Sequence, residues 1–453
     1  MHIFTTGKLF DWKSLDDAPD LKTIKSFLDV LPDEKILAAL RTRRYKGRND
    51  YPVSVLWRVH LLRYILRHPD MAACLADLGR NPLLRELCLI DSPAGVPKPW
   101  NMSRFEEVLG EPKHLTLLRE IFDKLIRKLG SVVPDLGRHT AADSACLKAR
   151  ADTHPENDTS GLPQPMGGKK EYRDEKGQVV RSFIWFGYKF HLLVDVKHEV
   201  ILTWHITTAT DDDAGEIPKL LAQALSNVPQ GRMETLAYDK AADDQKTHQH
   251  LHEQQIKPVV QTRHLWKDEQ ERMLPGHDGH SNIVYDEAGT VYCYNKVSDP
   301  PVKQQMAYTG YEKSRGTLKY RCPAVHHGTK CPMAIICNKN KPYGKTVRVK
   351  STIDLRRFPP IPRATKEFER LYNGRTAIER VNARSKLFWG ADDGNVTGAK
   401  RFHGHLATIM LVHATFATLL AAAPRYEGKS LSPVKLSRIA LALHPDHKVN
   451  TAA

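Results

Sequence analysis

Residues 372–388 read Tyr372-Asn373-Gly374-Arg375-Thr376-Ala377-Ile378-Glu379-Arg380-Val381-Asn382-Ala383-Arg384-Ser385-Lys386-Leu387-Phe388. As a helix, this stretch decides how the rest of the chain is read. At about 100° per residue, Tyr372, Arg375, Glu379 and Lys386 fall within a stripe roughly 60° wide. Leu371, Ile378, Val381 and Phe388 fall on the other side. One long helix, predicted over 365–388 behind Pro359, Pro360 and Pro362, would bury the apolar stripe and present a phenol, two cations and a carboxylate together. A solvated charged face is the ordinary reason for such a pattern. Here the residue types and their spacing point to chemistry.

Two earlier acids stand where strands are expected. Asp143 lies within the short extended run 140–147, and Asp239 ends the strand 234–238. Aspartate is depleted in strands, although either residue alone would pass as a cap or turn. Around them, 183–196, 200–207 and 257–262 read as β-runs, and 214–225 and 246–255 as helices, giving a mixed sheet flanked by helices. The polar, Gly/Pro-rich segment 157–178 is expected as a mobile surface loop. Asp195 falls at a strand end. Asp211, Asp212 and Asp213 are candidate caps of the helix over 214–225, and Asp243 and Asp244 are read as caps of the next.

Residues 1–130 form a helical amino-terminal domain for DNA binding or oligomerisation, with apolar spacings of three and four in 21–30, 34–41, 53–68, 71–78 and 115–129. Residues 137–263 are the first part of the sheet. A basic, β-rich insertion fills 264–352, and between 311 and 350 Glu312 is its only acid. The second part of the core, 353–425, holds the Glu379 helix and an apolar carboxy-terminal helix; residues 426–453 are a tail. The apolar run 406–423 contains His413 and three threonines, which favours a buried helix over a bilayer span.

The chain has 453 residues and a formal charge of +16. A field of that sign draws polyanions, DNA first among them. No secretory signal is read in residues 1–15, and seven cysteines make a disulfide scaffold unsuited. A cytoplasmic, non-membrane protein is the expectation. Three carboxylates suit phosphodiester chemistry, in which two divalent ions about 3.5–4 Å apart activate the nucleophile and stabilise the leaving oxygen. Mg²⁺ prefers such hard oxygen ligands. Cations on the same stripe would hold DNA phosphates, Arg375 bidentately.

The Tyr372, Arg375, Glu379, Lys386 pattern resembles the signature of bacterial insertion-sequence transposases, the DDE subgroup named for its Tyr-Arg-Glu-Lys motif. The order of elements fits too: an acid in the first strand, an acid ending a later strand, a β-rich insertion, then the Glu helix. The helical stretch 51–85 is also similar to a domain common in these enzymes. The resemblance implies a ribonuclease H-like α/β core with Asp143, Asp239 and Glu379 as catalytic metal ligands for two Mg²⁺, Mn²⁺ substituting. It implies that Tyr372, Arg375 and Lys386 contact phosphates near the element's end. Its further implications are terminal inverted repeats and target DNA as substrates and a homodimer as the synaptic complex. The alternatives are a related nuclease or resolvase without strand transfer, and a non-catalytic DNA-binding derivative.

Two groups of residues carry additional expectations. Cys322, Cys331 and Cys337, with His326, His327 and the distant Cys293, could bind structural zinc, but no CxxC pair is present. Trp185, Trp204 and Trp389 could stack on bases, although tryptophans in strands are mostly core.

Overall fold

A computed structural model of the chain describes residues 18–43, 51–150, 158–173, 178–267, 271–275, 282–339, 341–392, 395–432 and 435–444. The reading of residues 1–15 lies outside them. The amino-terminal part is helical: α1 (Pro19–Val30), α2 (Glu34–Arg43), α3 (Val53–Ile65), α4 (Met71–Arg80), α5 (Pro82–Leu87), α6 (Pro99–Leu109) and α7 (Pro112–Val132). Asp70 caps α4 by accepting the Ala73 N–H at 2.8 Å, and Asn81 caps α5 by accepting from Leu83 and Leu84. In the sequence, Asn81-Pro82 and the prolines at 93–99 read as punctuation. Pro82 and Pro99 instead open α5 and α6, where a missing N–H costs nothing.

The sheet begins with β1 (His139–Lys148), β2 (Met166–Arg173), β3 (Val179–Asp195) and β4 (Ile201–Thr208). After α8 (Asp213–Asn227) come β5 (Thr235–Tyr238), α9 (Gln245–Glu253) and β6 (Lys257–Val260). The strand order is β2-β3-β1-β5-β6, with β4 also on β3. β3 runs antiparallel to β1, β2 and β4, while β1-β5-β6 are parallel. This is a mixed sheet with helices packed on it, consistent with a ribonuclease H-like core. The expected loop at 157–178 is corrected: residues 166–173 are β2, a hairpin partner of the outer half of β3. Its Gly-Gly-Lys-Lys sequence carries no burial pattern, so only pairing defines it as a strand. At Gly187 (φ 158°) a Cβ would lie 2.0 Å from the Leu147 carbonyl oxygen, so the close β1–β3 approach requires glycine.

The insertion holds β7 (Arg272–Met273), β8 (Ile283–Tyr285), β9 (Val291–Asn295), β10 (Val302–Gln305), β11 (Ala307–Glu312), β12 (Thr317–Arg321), α10 (Pro323–His327), α11 (Ala334–Asn338) and β13 (Thr346–Lys350). They form two small sheets, β10-β9-β8-β7 and β11-β12-β13, over a separate core that includes Ile283, Val291, Leu318, Tyr320 and Val349. Asp243 ties the return segment to the main sheet. It is a buried hub bound to Arg356 (2.8 Å), Arg363 (2.9 Å) and His248 (3.1 Å), which corrects its reading as a cap. Burial pushes its carboxyl up, but these partners outweigh burial and hold it at about 2. Asp244 is the cap of α9.

The predicted single helix over 365–388 is also corrected. α12 (Lys366–Asn373) and α13 (Thr376–Ala383) are separated at Gly374-Arg375, and residues 384–388 form a π-turn. A Cβ on Gly374 would come within 2.9 Å of Val196 Cγ1. The last helices are α14 (Ala399–Ala422) and α15 (Leu436–Leu443), and α15 packs on α1 and α14. α14 is long and apolar enough to cross a membrane, yet it is buried against α1, α3, α6, α7 and β4. His60 meets Thr408 at 2.9 Å, Tyr64 meets His405 at 2.9 Å, and the Ile201 N–H donates to His413 at 3.2 Å. One hydrophobic core therefore runs from the amino-terminal helices through α14 into the sheet.

Candidate active site

Register brings two of the acids together. β1 and β5 are parallel neighbours with Ala141 opposite Ala237. Two residues further on, Asp143 and Asp239 share one face of the sheet at its carboxyl edge, because side chains alternate with period two. Asp239 comes directly after β5 and accepts the Ala241 N–H at 2.8 Å, fixing the turn that carries it. Asp143 accepts the Ser144 N–H at 2.8 Å. Burial pushes the Asp143 carboxyl up to about 6 against the pull of the Ser144 N–H; the Asp239 charge adds to the rise, and Arg375 and Lys170 oppose it.

The third acid arrives on α13, which packs against β1 and β3. Arg375 bridges: its guanidinium lies 2.8 Å from Glu379 Oε1 and 3.6 Å from Asp143 Oδ2. It also lies 5.8 Å from the centre of the Tyr372 ring, which stacks on Phe368. Tyr372, Arg375, Glu379, Asp143 and Asp239 thus belong to one neighbourhood. Lys386 is displaced from it. The π-turn rotates residues 384–388 out of the α13 register, and the Lys386 ammonium binds the Cys146 carbonyl and Asp392 (3.1 Å) further along β1. The four-residue stripe of the ideal helix is therefore three residues plus one.

α13 is held from behind. Glu199, in the β3–β4 turn, binds Arg380 and Arg384 at 2.5 Å each. Sequence reasoning missed Glu199, Lys170 and Asp392; the first two come from distant segments, Asp392 lies six residues past Lys386, and no spacing rule connects them to the motif. The other acids have structural posts. Asp195 accepts the N–H groups of Gly137 and His198, Asp212 caps α8, and Asp213 pairs with Lys189 at 3.2 Å. Trp185, Trp204 and Trp389 are buried, and Trp389 stacks on Phe416.

Three carboxylates, with no thiol or imidazole among them, suit the hard divalent ions that the resemblance implies. Burial first, and the Asp239 charge after it, raise Asp143, and a bound cation would offset both. The donors fit in kind. As they stand, among the described residues no three His, Cys, Asp or Glu side chains are close enough to hold one ion; here Arg375 supplies the positive charge between Asp143 and Glu379.

Two family models match the chain. The Transposase DDE domain covers residues 136–414, more than half of the sequence, and the Transposase domain (DUF772) covers residues 10–108. No curated protein matches the chain.

Proposed function

The chain belongs to the transposases with a DDE domain, and from that premise we propose that it cuts DNA at the inverted-repeat ends of its element and joins those ends to target DNA. Transposases of this family bind DNA and work with divalent metal ions. In this reading Asp143, Asp239 and Glu379 hold two Mg²⁺, for which Mn²⁺ can substitute. The observation that carries it is the meeting of β1, the end of β5 and α13 around the Arg375 guanidinium. When bound, the ions supply the Lewis acidity that activates the attacking oxygen and stabilises the leaving one.

The chain's own residues do the rest. Asp143 gives up its proton to become a ligand, against the burial that raises its carboxyl in the metal-free site. Arg375, freed from Asp143 and Glu379, offers its fork to a phosphate of the DNA end. Tyr372 supports that phosphate with its hydroxyl and holds the guanidinium beside its ring. Lys386 exchanges Asp392 for another phosphate of the same end. Two copies would synapse the two ends, in the cytoplasm where the element's DNA lies.

Glu379→Gln tests the assignment. Glu379 is about half exposed, so the neutral isostere should fold. Cleavage of an inverted-repeat duplex is expected to fall by about 10²-fold or more, with unchanged DNA binding in a mobility-shift assay; retained cleavage refutes the role. Supplying pre-cut ends then separates a transposase from a nuclease that cannot join.

A further inference from the structure

Outside the catalytic neighbourhood, one group of side chains has no work assigned to it. The insertion contains four of the chain's seven cysteines, Cys293, Cys322, Cys331 and Cys337, and all four line a single cavity of about 30 Å³. None is in a disulfide. Cys293 comes from β9 in one small sheet. Cys322 directly follows β12 in the other, and in the β12–β13 connection Cys331 lies three residues before α11 and Cys337 within it. The cavity thus sits where the two sheets of the insertion meet.

We propose that these four cysteines form a structural zinc site that clasps the two sheets of the insertion together. Thiolates are the soft ligands that select zinc over the hard ions suited to the carboxylates, and four of them complete a closed tetrahedral site. The surroundings suit sulfur that carries negative charge. The Asn282 amide donates to Cys337 Sγ at 3.8 Å, and the Asn338 amide donates to Cys322 Sγ at 3.9 Å. Lys345 also lines the cavity, and its ammonium offsets part of the excess charge of four thiolates on one dication. Gly344, at φ +77°, turns the chain close beside this cluster, where a Cβ would lie 3.3 Å from the Cys322 Cβ. His326 and His327 lie at the rim of the insertion and take no part, since neither lines the cavity.

As they stand the sulfurs are wider apart than ligands of one ion. Cys337 lies within α11 and Cys331 three residues before its start, so side-chain rotation and a small shift of that short helix are the adjustments binding would need. Zinc binding by thiolates releases protons, so its affinity would weaken as pH falls. The physical motive is size. The insertion's separate core is small, and a region of that kind gains folding energy from a metal crosslink. The inference does not depend on the catalytic reading.

The full chain, purified under reducing conditions from zinc-supplemented cells, should carry roughly one zinc per molecule by plasma emission spectrometry. Asp143→Asn should keep that zinc, whereas the double variant Cys293→Ser/Cys337→Ser should drop below about a tenth of an equivalent. Should the double variant fail to fold, alkylation of the unaltered protein gives the answer. Cys293, Cys322, Cys331 and Cys337 should resist the reagent until a chelator is added, while the accessibility of Cys146 should not change. Cobalt(II) exchanged into the site should show the intense visible bands of tetrahedral thiolate coordination. Zinc below about a tenth of an equivalent in the unaltered chain, equal zinc in the double variant, or disulfides among the four cysteines overturns the proposal.

Discussion

Asp143 prefers to keep its proton in the fold until about pH 6, against an ordinary value of 3.8. Between those values the folded chain binds more protons than the unfolded chain. Stability therefore falls as pH climbs through the window, by up to about 1.4 kcal/mol per unit, and the penalty is complete above it. Asp143→Asn removes the penalty. Without divalent ions the variant should melt higher than the parent at pH 8, the gap closing toward pH 4, and Mg²⁺ should raise the Tm of the parent alone. Equal melting at pH 8 in calorimetry would show that Asp143 is not held in this way. The three acids assigned here stood out in the sequence, because strand-borne aspartates and a carboxylate among cations are unusual in type and order. Lys170 and Asp392 were not. The first reaches the site only through the pairing of β2 on β3, and the second through the bend after the π-turn.

At the scale of elements, the orientation of α13 depends on one turn. Glu199 faces two guanidiniums, and Arg384 is nearly buried at 9% side-chain exposure. Removing the carboxylate leaves that cation without its anion. Glu199→Ala should cost roughly 2 kcal/mol, and it should lower the cleavage rate while end binding persists, because α13 carries Glu379. Unchanged turnover, measured alongside the Tm, would show that the turn does not position the helix. Strongly periodic segments such as α7 and β3 were legible, since burial on one face imposes their pattern. Three features were hidden for distinct reasons. β2 is defined by its partner rather than by its composition, α5 and α6 begin at prolines that read as breaks, and Gly374 at the α12–α13 junction lies where a Cβ would crowd Val196 of a distant segment.

For the whole molecule, the shared core matters more than the number of units along the chain. α14 fills the space between the amino-terminal helices and the sheet, with His60, Tyr64 and the backbone of Ile201 all bonded to it. A fragment of residues 18–132 should consequently fail to melt cooperatively in circular dichroism, and adding a peptide of residues 399–422 should restore structure. A sharp transition in the isolated fragment would contradict this. The charge of +16 and the insertion were plain in the sequence; the dependence of the first helices on one near the far end was not, because an apolar run carries no address.

That dependence sets an order of events during synthesis. At translation speeds of about 5–20 residues per second, the ribosome needs roughly 15–60 s after finishing α7 to deliver α14. Until then the helical region lacks the helix it packs against. On the function proposed above, a chain assembled in this way would cut DNA only once nearly all of it has been made, so prematurely terminated products would leave DNA intact.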